Sequence, residues 1–469
     1  MMPLQQVFLE ISMGQCSTLF HNRVADEESL NKRITPTEEQ MTLQQERWND
    51  LRDFLVDRLS DETGLSMRSW LQGSYKFRTQ VRPLFMGEEF DIDLGLYFKW
   101  SGLASAGDYG PDDLKAACQT SLEVYGKETD HDVVSVEPPK KNCNRIRFNG
   151  DFHIDVPVYH LDEPNDDRTL ASEDGWVKSD PKAIYIWFRD KFLDDDRAVV
   201  RRLIRYMKAW SILRYHGETG RPSSVLLTVL VADACISSRI NSKWEDDDAL
   251  QACIEVIIAR LEANSRVLNP VDSSEDLSRL SDDQMGVLIQ RLRDFQTVAQ
   301  RANAAETSLA GAFLWQEAFG HFFPLPEDEV LVKSDRSLPV LYPQPEILVD
   351  ISLPNGNRST SINTVGPVPK KTKLKFTLMN LDRFPREAIF QWIVRNSGEE
   401  ASRTNDLGHT SQAGPYAEEN TAYNGRHFMD CMVVLHGNLI SIRRVPVIVN
   451  NAQYMRRTRG GRPAWTSLR

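Results

Sequence analysis

Three short stretches of this sequence carry residue types and spacings that suit chemistry on phosphates: Gln72-Gly73-Ser74, then Asp91-Ile92-Asp93, then His153-Ile154-Asp155-Val156-Pro157. In an extended strand, residues two apart share a face. Asp91 and Asp93 therefore project together, while Phe90, Ile92 and Leu94 face the other way, toward a core. Two carboxylates on one face repel each other unless a cation sits between them, and hard oxygen ligands with positions left for water and phosphate are what a divalent metal takes. The segment around Asp155 repeats the pattern, with Phe152, Ile154, Val156 and Val158 on one face and His153 and Asp155 on the other. If that strand lies beside the first, Asp155 completes a carboxylate triad. Such a triad can hold two Mg²⁺ ions, one escorting a triphosphate and one lowering the pKa of an attacking hydroxyl. Gly73-Ser74, on a turn ahead of the sheet, can offer backbone N–H groups and a hydroxyl to phosphates.

Taken singly these pieces are ordinary. A Gly-Ser pair is most often a turn, and an Asp-x-Asp strand is most often a solvated sheet face. Their conjunction in this order is what carries the reading. His153 is a neighbour without a role of its own at this level.

The elements that must position these residues can also be read. A helix is expected over residues 36–60, opened by Thr35-Pro36 with Glu38 in capping-box order and carrying Trp48, Leu51, Leu55 and Leu59 at helical spacing. Strands are expected over Phe90–Phe98 and Phe148–Tyr159, with an inserted helix near 111–125. After Trp176 the pattern turns helical, with stretches around Val200–Trp210, Leu226–Cys235, Leu250–Leu261 and Met285–Ala302. Beyond a Pro-spaced linker, five β-prone runs between Ile347 and Val449 suggest a small sandwich. Gly366-Pro367-Val368-Pro369-Lys370 has a superficial P-loop flavour, but it lacks the second glycine and reads as a loop.

Length and composition set the outer bounds. A chain of 469 residues with 41% hydrophobic residues can bury more than one core. The 56 Lys and Arg against 67 Asp and Glu leave a net charge of −11, which argues against a cationic nucleic-acid wrapper. The six cysteines stand singly, without a CxxC pair, which suits a reducing compartment and no structural zinc. The first residues read as no signal peptide, the longest apolar run is too short for a membrane span, and a cytoplasmic location is expected.

The wider text resembles the bacterial cGAS/DncV-like nucleotidyltransferases of the polymerase-β-like superfamily, enzymes that make cyclic oligonucleotide signals in CBASS anti-phage defence. The resemblance rests on Gln72-Gly73-Ser74, Arg82-Pro83, Gly87-Glu88-Glu89 with Asp91-Ile92-Asp93, His153 to Pro157, Ser179-Asp180-Pro181-Lys182, Tyr206 to Trp210, and Pro222-Ser223-Ser224, and it spans about residues 36–330. The β-rich end resembles the adenylyl/guanylyl and SMODS C-terminal sensor domain (AGS-C).

The resemblance implies an α+β fold. Residues 36–175 would form a polymerase-β-like core of mixed sheet and helices, 176–323 a helical lobe completing the nucleotide pocket, 324–345 a linker, 346–450 a β-sandwich-like sensor domain, and 451–469 a basic tail. It implies catalytic and metal-binding roles for Asp91, Asp93 and Asp155, with two Mg²⁺ ions and Mn²⁺ as their substitute. Nucleotide contacts would come from Gln72, Gly73, Ser74, Phe77, Arg145, Ser179, Asp180, Lys208, Ser223 and Ser224. Phe77 stands where the resemblance carries a tyrosine, so stacking alone would remain there. Asp180 could read a nucleobase edge or could cap the helix that starts at Pro181. Arg201 and Arg205 share a helix side with Lys208 and could face phosphates. The implied reaction joins ATP and GTP through 3′–5′ phosphodiester bonds into 3′,3′-cyclic GMP-AMP or a related purine ring for a downstream effector, with no membrane and no sequence-specific DNA as partner. A linear oligonucleotide synthase, a tRNA or protein adenylyltransferase, and a non-catalytic nucleotide-binding module stay open as alternatives.

Overall fold

The computed structural model describes residues 15–23, 28–127, 132–326 and 342–450. The expected basic tail and most of the expected linker lie outside these residues. The chain divides into two compact units: Ile34–Gln296, and the described residues up to Arg33 together with those from Thr297 onward. The helix Ser308–Phe319 and the turn after it fall in the second of these units.

In the first unit, Glu38–Thr63 forms a 26-residue helix. Its cap is Thr37 rather than Thr35: the Thr37 hydroxyl accepts from Gln40 N–H, and the Gln40 side chain accepts from Thr37 N–H. Among the described residues the unit carries an eight-stranded sheet. Its strands are β1 (Ser66–Gln72), β2 (Phe90–Lys99), β3 (Val133–Val136), β4 (Asn144–Phe148), β5 (Phe152–Val156), β6 (Val158–Asp162), β7 (Asp167–Ser172) and β8 (Gly175–Lys178).

Strand β2 organises this sheet. It pairs antiparallel with β1 over its C-terminal part, and parallel with both β5 and β6. The single run expected over 148–159 is thus three strands. Gly150 turns β4 into β5, and Pro157, which has no N–H to give a ladder, separates β5 from β6 while its carbonyl accepts from Leu96 N–H. One face of β2 and β5 is buried, with Phe90, Ile92, Leu94, Phe152, Ile154 and Val156 packed against Leu51, Leu55 and Leu59 of the long helix and Leu114, Cys118 and Leu122 of the helix Pro111–Tyr125. Burying each large side chain contributes about 1.5–3 kcal/mol. That core face dictates that Asp91, Asp93, His153 and Asp155 project together on the opposite face.

The helices Pro181–Lys191, Asp194–Arg214, Ser224–Ser238 and Asp246–Ala263, with most of Asp282–Asn303, also belong to this unit. Asp194–Arg214 and Ser224–Ser238 bury nearly continuous apolar stretches, including Leu203, Met207 and Trp210 on the former.

In the second unit two sheets form a sandwich. One pairs Arg358–Ile362, Ile347–Ser352, Lys373–Leu378 and Tyr416–Asn420; the other pairs Val365–Val368, Asn438–Val449, Gly425–Leu435, Ile389–Arg395 and Gly408–Thr410. Val349, Phe376, Trp392, Cys431 and Val445 fill the space between them. The N-terminal helix Ser17–Phe20 belongs here, with Phe20 packed edge-on against Trp315, Phe319 and Phe323. No helix among the described residues is long and apolar enough to cross a membrane.

Candidate active site

The parallel ladder between β2 and β5 sets Asp93 directly opposite Asp155 and Asp91 opposite His153. The antiparallel ladder with β1 sets Gln72 opposite Asp93, so the chain leaves β1 into Gly73 beside the carboxylates. Gly73 has φ +56°, and a β-carbon there would lie 1.9 Å from Asp93 Oδ2. Only glycine combines that backbone with that approach. Gly95 serves a similar purpose two pairs along, leaving room for the Gln72 amide. The amide donates to Tyr97 Oη at 2.9 Å and accepts from Tyr159 Oη at 3.1 Å, and the two tyrosine rings stack at 4.7 Å.

Ligand atoms of Asp91, His153 and Asp155 lie within 4.8 Å of one another. His153 sits between two carboxylates, with Nδ1 2.9 Å from Glu89 Oε2 and Nε2 3.2 Å from Asp91 Oδ1. Arg145 holds both oxygens of Asp155, Nε donating at 2.5 Å and a terminal nitrogen at 2.8 Å. Burial, with Asp91 and Asp155 alongside, pushes the Asp93 carboxyl well above the usual carboxylate range. A carboxyl raised in this way by its acidic neighbours fits a nearby divalent cation, which would remove the repulsion. Oxygen donors from Asp91, Asp93 and Asp155 suit magnesium or manganese, and the imidazole of His153 is a donor that manganese tolerates better.

Next to the carboxylates opens a cavity of about 370 Å³. Gln72, Gly73, Ser74, Phe77, Asp93, Asp155, Ser179, Lys208 and Ser224 line it, drawn from β1, β2, β5 and three helical segments. Phe77 is held edge-on to Tyr185 at 5.5 Å and tilted against Phe188 at 5.3 Å. Ser224 opens the helix Ser224–Ser238, whereas Ser223 is its cap and accepts from Leu226 N–H, away from the cavity lining.

Asp180 resolves between its two expected uses. One oxygen accepts from Ala183 N–H at the start of the helix Pro181–Lys191, and the other accepts from Arg168 at 2.8 Å. It caps a helix, and its neighbour Ser179 is the residue that reaches the cavity.

The basic stripe divides in a similar way. Arg201 donates to the Phe77 carbonyl at 2.9 Å, Arg205 to the Arg78 carbonyl at 2.7 Å, and Lys208 to the Thr79 carbonyl at 3.3 Å and hydroxyl at 3.1 Å. Successive turns of one helix thereby hold three consecutive carbonyls of the turn that follows Ser74. Lys208 alone of the three also lines the cavity. Burial and the nearby Arg205 pull its ammonium down to about 7, against the opposing pull of Asp91 and Asp93.

Sequence reasoning did not single out Tyr159, Thr79, Asn142, Cys143 and Arg279, which also line the cavity. Glu89, Tyr97 and Tyr159 gave no sign of a site role of their own, since their partners lie 64, 25 and 87 residues away in the chain.

Comparison with known proteins places these features in a family. A family model for the nucleotidyltransferase domain of cyclic GMP-AMP synthase DncV-like proteins matches residues 67–159, and one for the adenylyl/guanylyl and SMODS C-terminal sensor domain matches residues 333–450. The chain is 30% identical over 450 residues to a cyclic GMP-AMP synthase of Escherichia albertii, covering 94% of this chain and 98% of that protein. It is 25% identical over 280 residues to a c-di-GMP synthase of Roseivirga ehrenbergii, covering 50% of this chain and 69% of that one. Among solved structures, the Vibrio cholerae DncV cyclic AMP-GMP synthase in complex with the linear intermediate 5′ pppA(3′,5′)pG is similar in fold, with a TM-score of 0.54 and 21% identity over 66% of this chain and 98% of that one.

Proposed function

Because the chain belongs to the cyclic GMP-AMP synthase DncV-like nucleotidyltransferases that carry an AGS-C domain, we propose that it joins ATP and GTP into a cyclic purine dinucleotide, 3′,3′-cyclic GMP-AMP in the first instance. The reading is supported above all by the register that sets Asp93 across from Asp155, with Asp91 on the same face, at the edge of a cavity lined by Gly73, Ser74 and Lys208.

Asp91 and Asp93 would hold both of two magnesium ions and Asp155 the catalytic one; when bound, these supply the charge that offsets the triphosphate and acidifies the attacking 3′-hydroxyl. The protein's own groups do the rest. The Gly73-Ser74 turn lets backbone N–H groups and a hydroxyl approach donor phosphates, and the clamp on residues 77–79 fixes that turn. Lys208 and Ser224 face the same oxygens from the helical side. Phe77 offers a ring face to a base. The acceptor 3′-oxygen attacks the α-phosphorus in line, its proton leaves, and the bond to pyrophosphate breaks. A second round on the linear intermediate, turned around in the cavity, closes the ring.

We place the enzyme in the cytoplasm, in anti-phage defence, with its product passed to an effector. Incubation with labelled ATP, GTP, CTP and UTP and magnesium tests the proposal. A phosphatase-resistant product whose mass equals one AMP and one GMP residue in a ring is expected. A phosphatase-sensitive product would instead indicate a linear synthase, and no turnover with any nucleotide mixture would indicate a binding module.

A further inference from the structure

The carboxylate cluster already has a cation in it. Arg145, on β4, lies opposite Asp155 of β5 in the antiparallel register, and its guanidinium takes one carboxylate oxygen with Nε and the other with a terminal nitrogen. Both side chains are mostly buried, at 17% and 14% exposure, so water screens the pair little. Asp91, by contrast, has a side chain that is 54% exposed, and its near neighbour is the imidazole of His153. Each carboxylate oxygen has a second lone pair, so a metal could in principle share Asp155 with the arginine. Two cations on one carboxylate, a few ångströms apart in a poorly screened site, repel strongly.

Resting on the metal-dependent reading above, we infer that Arg145 is the resident counter-ion of Asp155, and that Arg145 and a divalent cation hold this carboxylate in turn. Binding of the metal moves the guanidinium off at least one oxygen. The same planar fork that fits a carboxylate fits a phosphate. The β4 segment that carries Arg145 follows Asn142 and Cys143, which line the cavity, so a displaced guanidinium finds its new partner in a nucleotide phosphate. Metal and nucleotide thus bind with positive coupling, and neither alone completes the site.

The test is Mn²⁺ binding to the full-length protein, followed by electron paramagnetic resonance, with metal alone and with a 3′-deoxynucleoside triphosphate that lacks the attacking hydroxyl. Arg145→Gln should bind Mn²⁺ alone about tenfold tighter than wild type, the size of one charge-assisted pair no longer broken. The gain in Mn²⁺ affinity that the nucleotide confers should shrink in the same variant. Arg145→Lys, which cannot form the fork, should fall between the two, and it carries the test if Arg145→Gln melts early. Unchanged or weaker Mn²⁺ binding in the arginine variants overturns the exchange. Asp155→Asn separates this from the reading beneath it: if that variant binds Mn²⁺ as wild type does, the metal triad itself is wrong.

Discussion

Gly73, where the chain leaves β1, lies so close to Asp93 of β2 that the space a β-carbon would fill at 73 is held by the Asp93 carboxylate. A methyl group at 73 must displace the carboxylate and also adopt a left-handed backbone, which costs a non-glycine residue about 1–2 kcal/mol. Gly73→Ala should therefore lower product formation by about a hundredfold or more, since misplacement by about 1 Å can cost that much. The melting temperature should drop only modestly. Activity within a few-fold of wild type would show that Asp93 need not occupy this position.

The Asp93 carboxyl makes stability depend on pH and metal together. The Asp93 carboxyl is raised in the folded protein, so its contribution is fully present below the unfolded carboxylate pKa and is lost as pH rises through the folded value. In metal-free protein, thermal stability should fall as pH rises from the acid range toward neutrality, and Mg²⁺ should restore it by mass action. Asp93→Asn should flatten that dependence and raise the metal-free melting temperature while abolishing turnover. Melting curves across pH with and without Mg²⁺ read all three effects.

Lys208 gives a second pH signature, this one in binding. With its value drawn down to about 7 by burial and Arg205, the ammonium loses charge as pH rises through neutrality. A triphosphate binds the charged form, so nucleotide affinity should weaken as pH rises above about 7, and binding should take up a proton there. The variant Lys208→Arg keeps its charge throughout this range, so its affinity should be nearly flat between about pH 7 and 9. Equilibrium binding of a fluorescent ATP analogue to both proteins distinguishes the lysine from the nucleotide's own titration.

In the second unit a single buried carboxylate is shared by two arginines. Asp430 is fully buried, accepting from Arg395 Nε at 2.7 Å and from Arg444 at 2.8 and 3.1 Å. Arg395 in turn donates to the carbonyls of His321 and Phe323. Asp430→Ala strands these guanidinium groups without their counter-charge and should cost about 3–5 kcal/mol, detected as early loss of the β-rich unit in urea unfolding. A loss below about 1 kcal/mol would mean that water reaches the pair.

The local parts of this architecture were legible because local physics sets them. Alternation in β2 and β5 told which face carried Asp91, Asp93 and Asp155, and the long helix followed from its apolar spacing. What depended on long-range partners was not. Asp180 and the stripe of Arg201 and Arg205 carry charge that sequence alone assigns equally well to a ligand or to a backbone carbonyl. The deciding fact is that the turn at 77–79 lies against that helix. Thr35-Pro36 offers the same local pattern as the cap that forms just after it at Thr37, where the hydroxyl and the Gln40 side chain exchange reciprocal bonds. The polar strands Arg358–Ile362 and Tyr416–Asn420 escaped notice because each of them flanks its sheet and carries little apolar signal.

The unit that holds Phe20 beside Trp315 and Phe323 is built from segments on either side of the continuous stretch Ile34–Gln296. On the ribosome, the inserted stretch emerges whole and can acquire its core while Phe20 still waits for helices and strands not yet translated. A nascent chain therefore possesses the nucleotide-handling half before the half that resembles a sensor, and premature termination releases the former without the latter.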